Sequence, residues 1–217
     1  MTKKETILVF GAHSDDFVLG AGGTLAKYKK EGKTVISVIF SFGEKSHPWL
    51  RQTIVQQMRS KEAIEASNIL GMSRLVFYDL EELKFYEEYQ SKNLAKELLA
   101  LIETEAPTKI FTHSAEDLHP DHQDVYKITI ELWKLLPKTV RPEVYTYSIW
   151  NPISLDNKYP SLYVNITKYF TQKMRALKTF RSQKVYIVYP IILLLFRSLK
   201  DGLRIRTLFG ERFFRIK

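Results

Sequence analysis

Four short apolar runs alternate with stretches of helical periodicity along the first two thirds of this chain. The runs are Ile7–Phe10, Val35–Phe42, Leu75–Tyr78 and Lys109–Thr112. Helical patterns cover Val18 to Glu31, about Leu50 to Leu70, and Asn93 to Ile102, with a further inner face at Val125, Ile128, Leu132 and Leu135. Gly32 and Gly71 stand where the first two helices would stop. Strands alternating with helices restrict the chain to an α/β fold with a mostly parallel twisted sheet. Val144–Ser148 and Leu162–Ile166 read as additional strands, and Lys168 to Ser182 as a basic helix. The 217 residues show no repeat and no linker, so a single domain over 1–217 is expected. There is no cysteine, which excludes disulfide frameworks and cysteine-ligated zinc.

In such folds, sites lie at the carboxyl ends of the strands. The first strand runs into "VFGAHSDDFVLGAGG" (9–23). Its glycines, Gly11, Gly20, Gly22 and Gly23, do not form G-x-G-x-x-G at the turn, and two aspartates there would repel a pyrophosphate. Helix capping by Asp15 or Asp16 is the plainer explanation. It accounts for one carboxylate and leaves the other. Two carboxylates in a crevice raise each other's pKa unless a cation lies between them.

The fourth strand runs into "HSAEDLHPDHQDV" (113–125). The first and fourth strands are expected to be neighbours where the strand order reverses, so the two motifs should face one crevice. Pro120 suits the first position of a helix, which puts His122 in its first turn. His113 by itself reads as a satisfied strand-end residue rather than a ligand. His13, Asp16 and His122 make a three-ligand set with a fourth position left for water, the pattern of catalytic zinc. Asp15 then stands beside the metal, placed to take a proton from bound water.

"AHSDD" (12–16) followed about a hundred residues later by "HPDH" (119–122) resembles the LmbE-like, or PIG-L, N-acetylglucosaminyl deacetylases. "SFGE" (41–44), "RSKEAIEASNILG" (59–71), "ALKTFRSQ" (176–183) and "GERFF" (210–214) resemble weaker signatures of that family. One departure is Ser14, where the family usually has proline. The resemblance implies a Rossmann-like three-layer α/β domain and hydrolysis of an N-acetylated sugar conjugate. It implies zinc, or Fe2+ or another divalent ion, on His13, Asp16 and His122. It further implies Asp15 as general base, His119 stabilising the oxyanion, Asp121 orienting His119, and Arg59 and Glu44 contacting substrate.

Charge is unevenly placed. Residues 168–217 hold thirteen Lys/Arg and two acids, Asp201 and Glu211, whereas the rest of the chain holds twenty Lys/Arg and twenty-two acids. Within that basic region lies an apolar insert, "VYIVYPIILLLF" (185–196), too short to span a bilayer. It reads either as buried core or as an interfacial element drawn to an anionic membrane surface, which would suit a lipid-linked substrate. The opening MTKKETILVFGAH lacks a signal-peptide pattern, so a cytoplasmic enzyme with a peripheral membrane habit is expected. A homo-oligomer is compatible with the sequence. Two rival readings stay open: a nucleic-acid or anionic-surface binding protein acting through the basic region, which lacks a recognisable motif, and a metal-dependent phosphoesterase, which commonly needs two ions.

Overall fold

The computed structural model describes residues 4–47, 49–151, 159–183 and 188–217. The apolar runs form strands β1 (Thr6–Gly11), β2 (Thr34–Ile39), β3 (Arg74–Phe77), β4 (Lys109–His113), β5 (Glu143–Tyr147), β6 (Ser161–Asn165) and β7 (Gly210–Arg215). They make one sheet in the order β3-β2-β1-β4-β5-β7-β6. β1 pairs in parallel with both β2 and β4. The strand order therefore reverses at β1, and the expected adjacency of first and fourth strands is observed. β7 is antiparallel to both β5 and β6.

Alternation along β1 shows why the sheet is covered on both faces. Ile7 and Val9 enter one core, and Leu8 and Phe10 the other. The first core is closed by α1 (Asp16–Lys30), α2 (Gln52–Leu70) and α6 (Phe170–Leu177). The second is closed by α3 (Phe85–Ser91), α4 (Leu94–Glu105) and α5 (Pro120–Leu135). The result is the three-layer, Rossmann-like architecture expected from the sequence. Val125, Ile128 and Leu132 form the buried face of α5 as the spacing predicts, but Leu135 is exposed. Gly71 ends α2 in the left-handed region at φ 73°, with Met72 N–H returning to Ser67 O.

The glycines after the first motif let α1 approach β5 closely. A Cβ at Gly20 would overlap the Tyr147 ring, whose hydroxyl donates to Phe10 O at 2.6 Å. That bond ties the helix–strand contact to the end of β1.

The helix expected over Lys168–Ser182 stops at Leu177, and Arg181–Gln183 forms a separate 3-10 turn. The apolar insert lies partly in α7 (Val188–Arg204), and residues 185–187 fall outside the described residues. α7 is neither wholly buried nor wholly exposed. Pro190, Leu194, Ser198, Asp201 and Gly202 face inward, while Ile192, Leu195, Phe196, Leu199 and Leu203 face out. The acids of this region are internal. Glu211 accepts from Lys173 Nζ at 2.7 Å and from the backbone N–H groups of Gly23 and Thr24, so β7 is charged yet buried.

Candidate metal centre

The loop leaving β1 and the loop leaving β4 meet at the carboxyl end of the sheet. Asp15 occupies the N-cap position of α1, but its side chain makes no capping hydrogen bond. The capping explanation therefore fails for its carboxylate. Asp16 is the first residue of the helix, and its Oδ2 accepts from His13 N–H at 2.7 Å, which folds the turn back onto itself. Across the crevice, Pro120 opens α5 at its first position. That places Asp121 and His122 in the first turn, both fully buried.

His13, Asp16 and His122 bring one ligand atom each to within 4.8 Å of one another. The nitrogens sort cleanly. His13 Nε2 lies 3.1 Å from Asp121 Oδ2, and its Nδ1 lies 3.6 Å from Asp16 Oδ2. His122 Nδ1 lies 3.0 Å from Asp117 Oδ1, and its Nε2 lies 3.5 Å from Asp16 Oδ1. Each ring thus sets one nitrogen on a carboxylate and the other toward Asp16. Metal-binding histidines are held in this way, because the outer carboxylate fixes the tautomer and ring angle. Both ring nitrogens of His122 are buried without a well-formed hydrogen bond; Nδ1 is held by its approach to Asp117, which leaves Nε2 available as a ligand atom.

Two other groups share these side chains. One combines His13 with His119 and Asp121, and the other combines His122 with His113 and Asp117. In the first, His119 Nδ1 already accepts from Asp121 N–H at 3.2 Å. In the second, all three residues are fully buried and Asp117 is taken up by backbone N–H groups of Ile149 and Trp150. His13 and Asp16 line a cleft of about 290 Å³ together with Asp15, Arg59, His119, Asp121, Glu82 and Trp150 among others, and His122 lies buried behind them.

The electrostatics favour a cation here. Asp15, Asp16, Asp117, Asp121 and Glu82 surround the centre, against the guanidinium of Arg59 and, at the cleft wall, Lys45. Burial works against a charged His13, yet the hydrogen bonds to Asp121 and Asp16 overcome it and raise its pKa to about 10. Burial and the neighbouring His113 lower His122 to about 4. The paired aspartates diverge. Burial and the charge of Asp16 raise Asp15 despite Arg59. Burial also disfavours ionised Asp16, but His122, His113 and His13 hold its carboxyl well below the usual range. Neighbouring carboxylates with pKa values pushed apart are suited to different roles.

Arg59 is 3 % exposed and reaches the cleft from α2. Its Nε donates to Ser14 Oγ at 3.0 Å and its Nη1 to Gly43 O at 3.1 Å, while Nη2 lies 3.6 Å from Asp15 Oδ1. Ser14, where proline is usual, thus supplies an acceptor that proline lacks. Gly43 has φ 78°, and a Cβ there would overlap the guanidinium.

The Asp121 carboxylate turns to His13, and its Oδ2 lies 3.9 Å from His119 Nδ1; only its backbone N–H bonds to His119. Glu44 is buried and accepts from Ser41 Oγ at 3.2 Å, so its neighbour Lys45 lines the cleft instead. His113 is more than a strand-end residue. Its Nε2 accepts from Ala12 N–H at 3.1 Å, lies 3.1 Å from Asp16 Oδ2, and its ring stacks on His122 at 3.8 Å.

Two residues at the centre were not singled out in the sequence. Asp117 lies five positions before His122, a second acid in the same motif, which was a usable signal. Glu82, 3.5 Å from His13 Nε2, comes from the loop after β3 and carries no local pattern.

A family model described as PIG-L, GlcNAc-PI de-N-acetylase, matches residues 8–133. A probable N-acetyl-alpha-D-glucosaminyl L-malate deacetylase 2 of Bacillus cereus is 27% identical over 186 residues, covering 82% of this chain and 83% of the relative. A 4-oxalmesaconate hydratase of Pseudomonas putida is also 27% identical, over 200 residues, covering 84% of this chain and 76% of the relative. The solved structure of N,N'-diacetylchitobiose deacetylase from Pyrococcus horikoshii superposes with a TM-score of 0.80 at 23% identity, over 97% of this chain and 83% of that one, which is a likeness of fold. The matched span includes both motifs and more than half the chain, and the chain belongs to the PIG-L family.

Proposed function

We propose that this protein is a metal-dependent hydrolase that removes the acetyl group from an N-acetylated amino-sugar conjugate. One observation supports it above the rest: both histidines hand one nitrogen to a carboxylate and aim the other at Asp16, with Asp15 alongside and an open cleft in front. Two histidines and one carboxylate suit zinc, and Fe2+ accepts the same donors. A divalent ion bound there supplies water of lowered pKa and a positive pole for a carbonyl oxygen.

The chain's own groups do the rest. Asp15 accepts the proton of the water that attacks the acetamide carbon. Its raised pKa makes it a better base than an ordinary surface aspartate, and Arg59 holds it in place. His119 Nδ1 accepts from the backbone, which leaves Nε2 to carry the ring's hydrogen. That N–H donates to the carbonyl oxygen as negative charge builds. Asp15 then returns its proton to the departing nitrogen. The products are acetate and a free amine.

The hydratase relative favours a second reading, addition of water without loss of acetate. A phosphoesterase, which commonly needs two ions, is less well supported, because among the described residues the set His13, Asp16 and His122 takes one histidine from each of the other two groups, so filling it leaves neither of them complete. Acetate release from a panel of soluble and lipid-linked N-acetylglucosamine conjugates, with and without chelator, tests the proposal. Chelator-sensitive acetate supports it; none from any conjugate refutes it.

A further inference from the structure

α7 presents an exposed apolar stripe. Ile192, Leu195, Phe196, Leu199 and Leu203 follow the spacing of one helix face, and all are exposed, Phe196 at 64% and Leu203 at 75%. The opposite face is packed through Leu194, Ser198 and Asp201. At about 100° per residue, Lys200 and Arg204 line one edge of the stripe. Leu208 and Arg206 continue the exposed mixture beyond the helix. Within residues 168–217 the exposed charge is of one sign. The two acids of residues 168–217 are buried, at 5% for Asp201 and 6% for Glu211, and face Arg212 and Lys173 inside the fold. No acid of this segment therefore reaches the surface beside the stripe.

We propose that this face of α7 lies on the surface of an anionic lipid bilayer. Charge selects the occupant. A second copy seated here would bring a further cationic edge to a face that already carries one, and nucleic acid would leave five large apolar side chains without a partner. An anionic bilayer offers acyl boundary for the stripe and headgroup charge for its edge. The helix lies along the membrane and does not cross it: no helix among the described residues is long and apolar enough to span. Pro190, in the first turn of α7, lines the metal-centre cleft from the inward face, so α7 would lie between the cleft and the bilayer. The inference does not depend on the chemistry proposed for that cleft.

The test is co-sedimentation of the full chain with phosphatidylcholine vesicles, with and without phosphatidylglycerol. Binding is expected to be at least about 10-fold stronger to the anionic vesicles and to weaken as salt rises. A Leu199→Asp/Leu203→Asp variant should lose about 10-fold or more of that binding, and Lys200→Glu/Arg206→Glu should lose the preference for anionic lipid. Unchanged circular dichroism and unchanged metal content in both variants show that the fold is intact. No binding of the wild type to either vesicle overturns the proposal. So does full binding by the Leu199→Asp/Leu203→Asp variant, or a concentration-dependent dimer that this variant abolishes.

Discussion

His13 and Asp121 are 108 residues apart in sequence, and His13 Nε2 meets Asp121 Oδ2 at 3.1 Å. That contact joins the loop after β1 to the first turn of α5. It also fixes which nitrogen of His13 faces Asp16. The second oxygen of Asp121 accepts from Leu83 N–H at 2.7 Å, so the carboxylate is itself held. Asp121→Asn should therefore keep the fold and weaken divalent-metal affinity by about 10- to 100-fold. Competition titration against a metallochromic chelator measures it. Wild-type affinity in the variant would show that this carboxylate does not orient a ligand.

Asp15 makes no capping bond and faces the cleft beside Arg59. Asp15→Asn removes a base without removing a ligand. Metal content should stay at the wild-type level while kcat falls by about 10²- to 10⁴-fold. Metal analysis and acetate release on the same preparation give both values. A variant with near-normal kcat would take the base role from Asp15.

Gly20 is where α1 comes nearest to β5. Gly20→Ala gains helix propensity but drives a methyl into the Tyr147 ring. Overpacking of this kind costs about 1–3 kcal/mol, more than the propensity gain of up to about 1 kcal/mol. Urea denaturation should show a lower midpoint. An unchanged or higher midpoint would mean that the helix can shift away without loss.

Glu5 clips the starts of three neighbouring segments together through Lys33, Thr108 and Lys109. Burial alone would raise its pKa, but these bonds outweigh it and lower the pKa from 4.5 to about 2. A carboxyl depressed on folding stabilises the protein above its unfolded pKa. That contribution is lost as pH falls from about 4.5 toward 2. Stability should fall over this window in the wild type and fall less steeply in Glu5→Gln. Equal slopes for the two proteins, from denaturation midpoints across that range, would remove Glu5 as a contributor.

Strands β1 to β6 were legible as short apolar runs, most clearly where, as in β1, a parallel strand is buried on both faces, and Gly32 and Gly71 mark helix ends. The convergence of His13, Asp16 and His122 was legible because strand order places the first and fourth strands side by side. α3 escaped notice: it is seven residues long and is held by two buried aromatics, Phe85 and Tyr89, too few turns to show a period. β7 escaped because burial of Glu211 depends on Lys173, 38 residues earlier. The neighbours of the Glu44 and Asp121 carboxylates, Ser41 and His13, were not legible for a related reason. A motif gives the residue, but only tertiary packing decides which neighbour its side chain faces.

The central claim is that one divalent ion, held by residues from two distant loops, is needed for hydrolysis. Acetate release by the metal-stripped protein, before and after reloading with zinc, tests it most directly, run beside His122→Ala. The stripped wild type should be inactive and recover on reloading, and His122→Ala should stay inactive. Undiminished acetate release by the stripped wild type, or full recovery of His122→Ala, would contradict it.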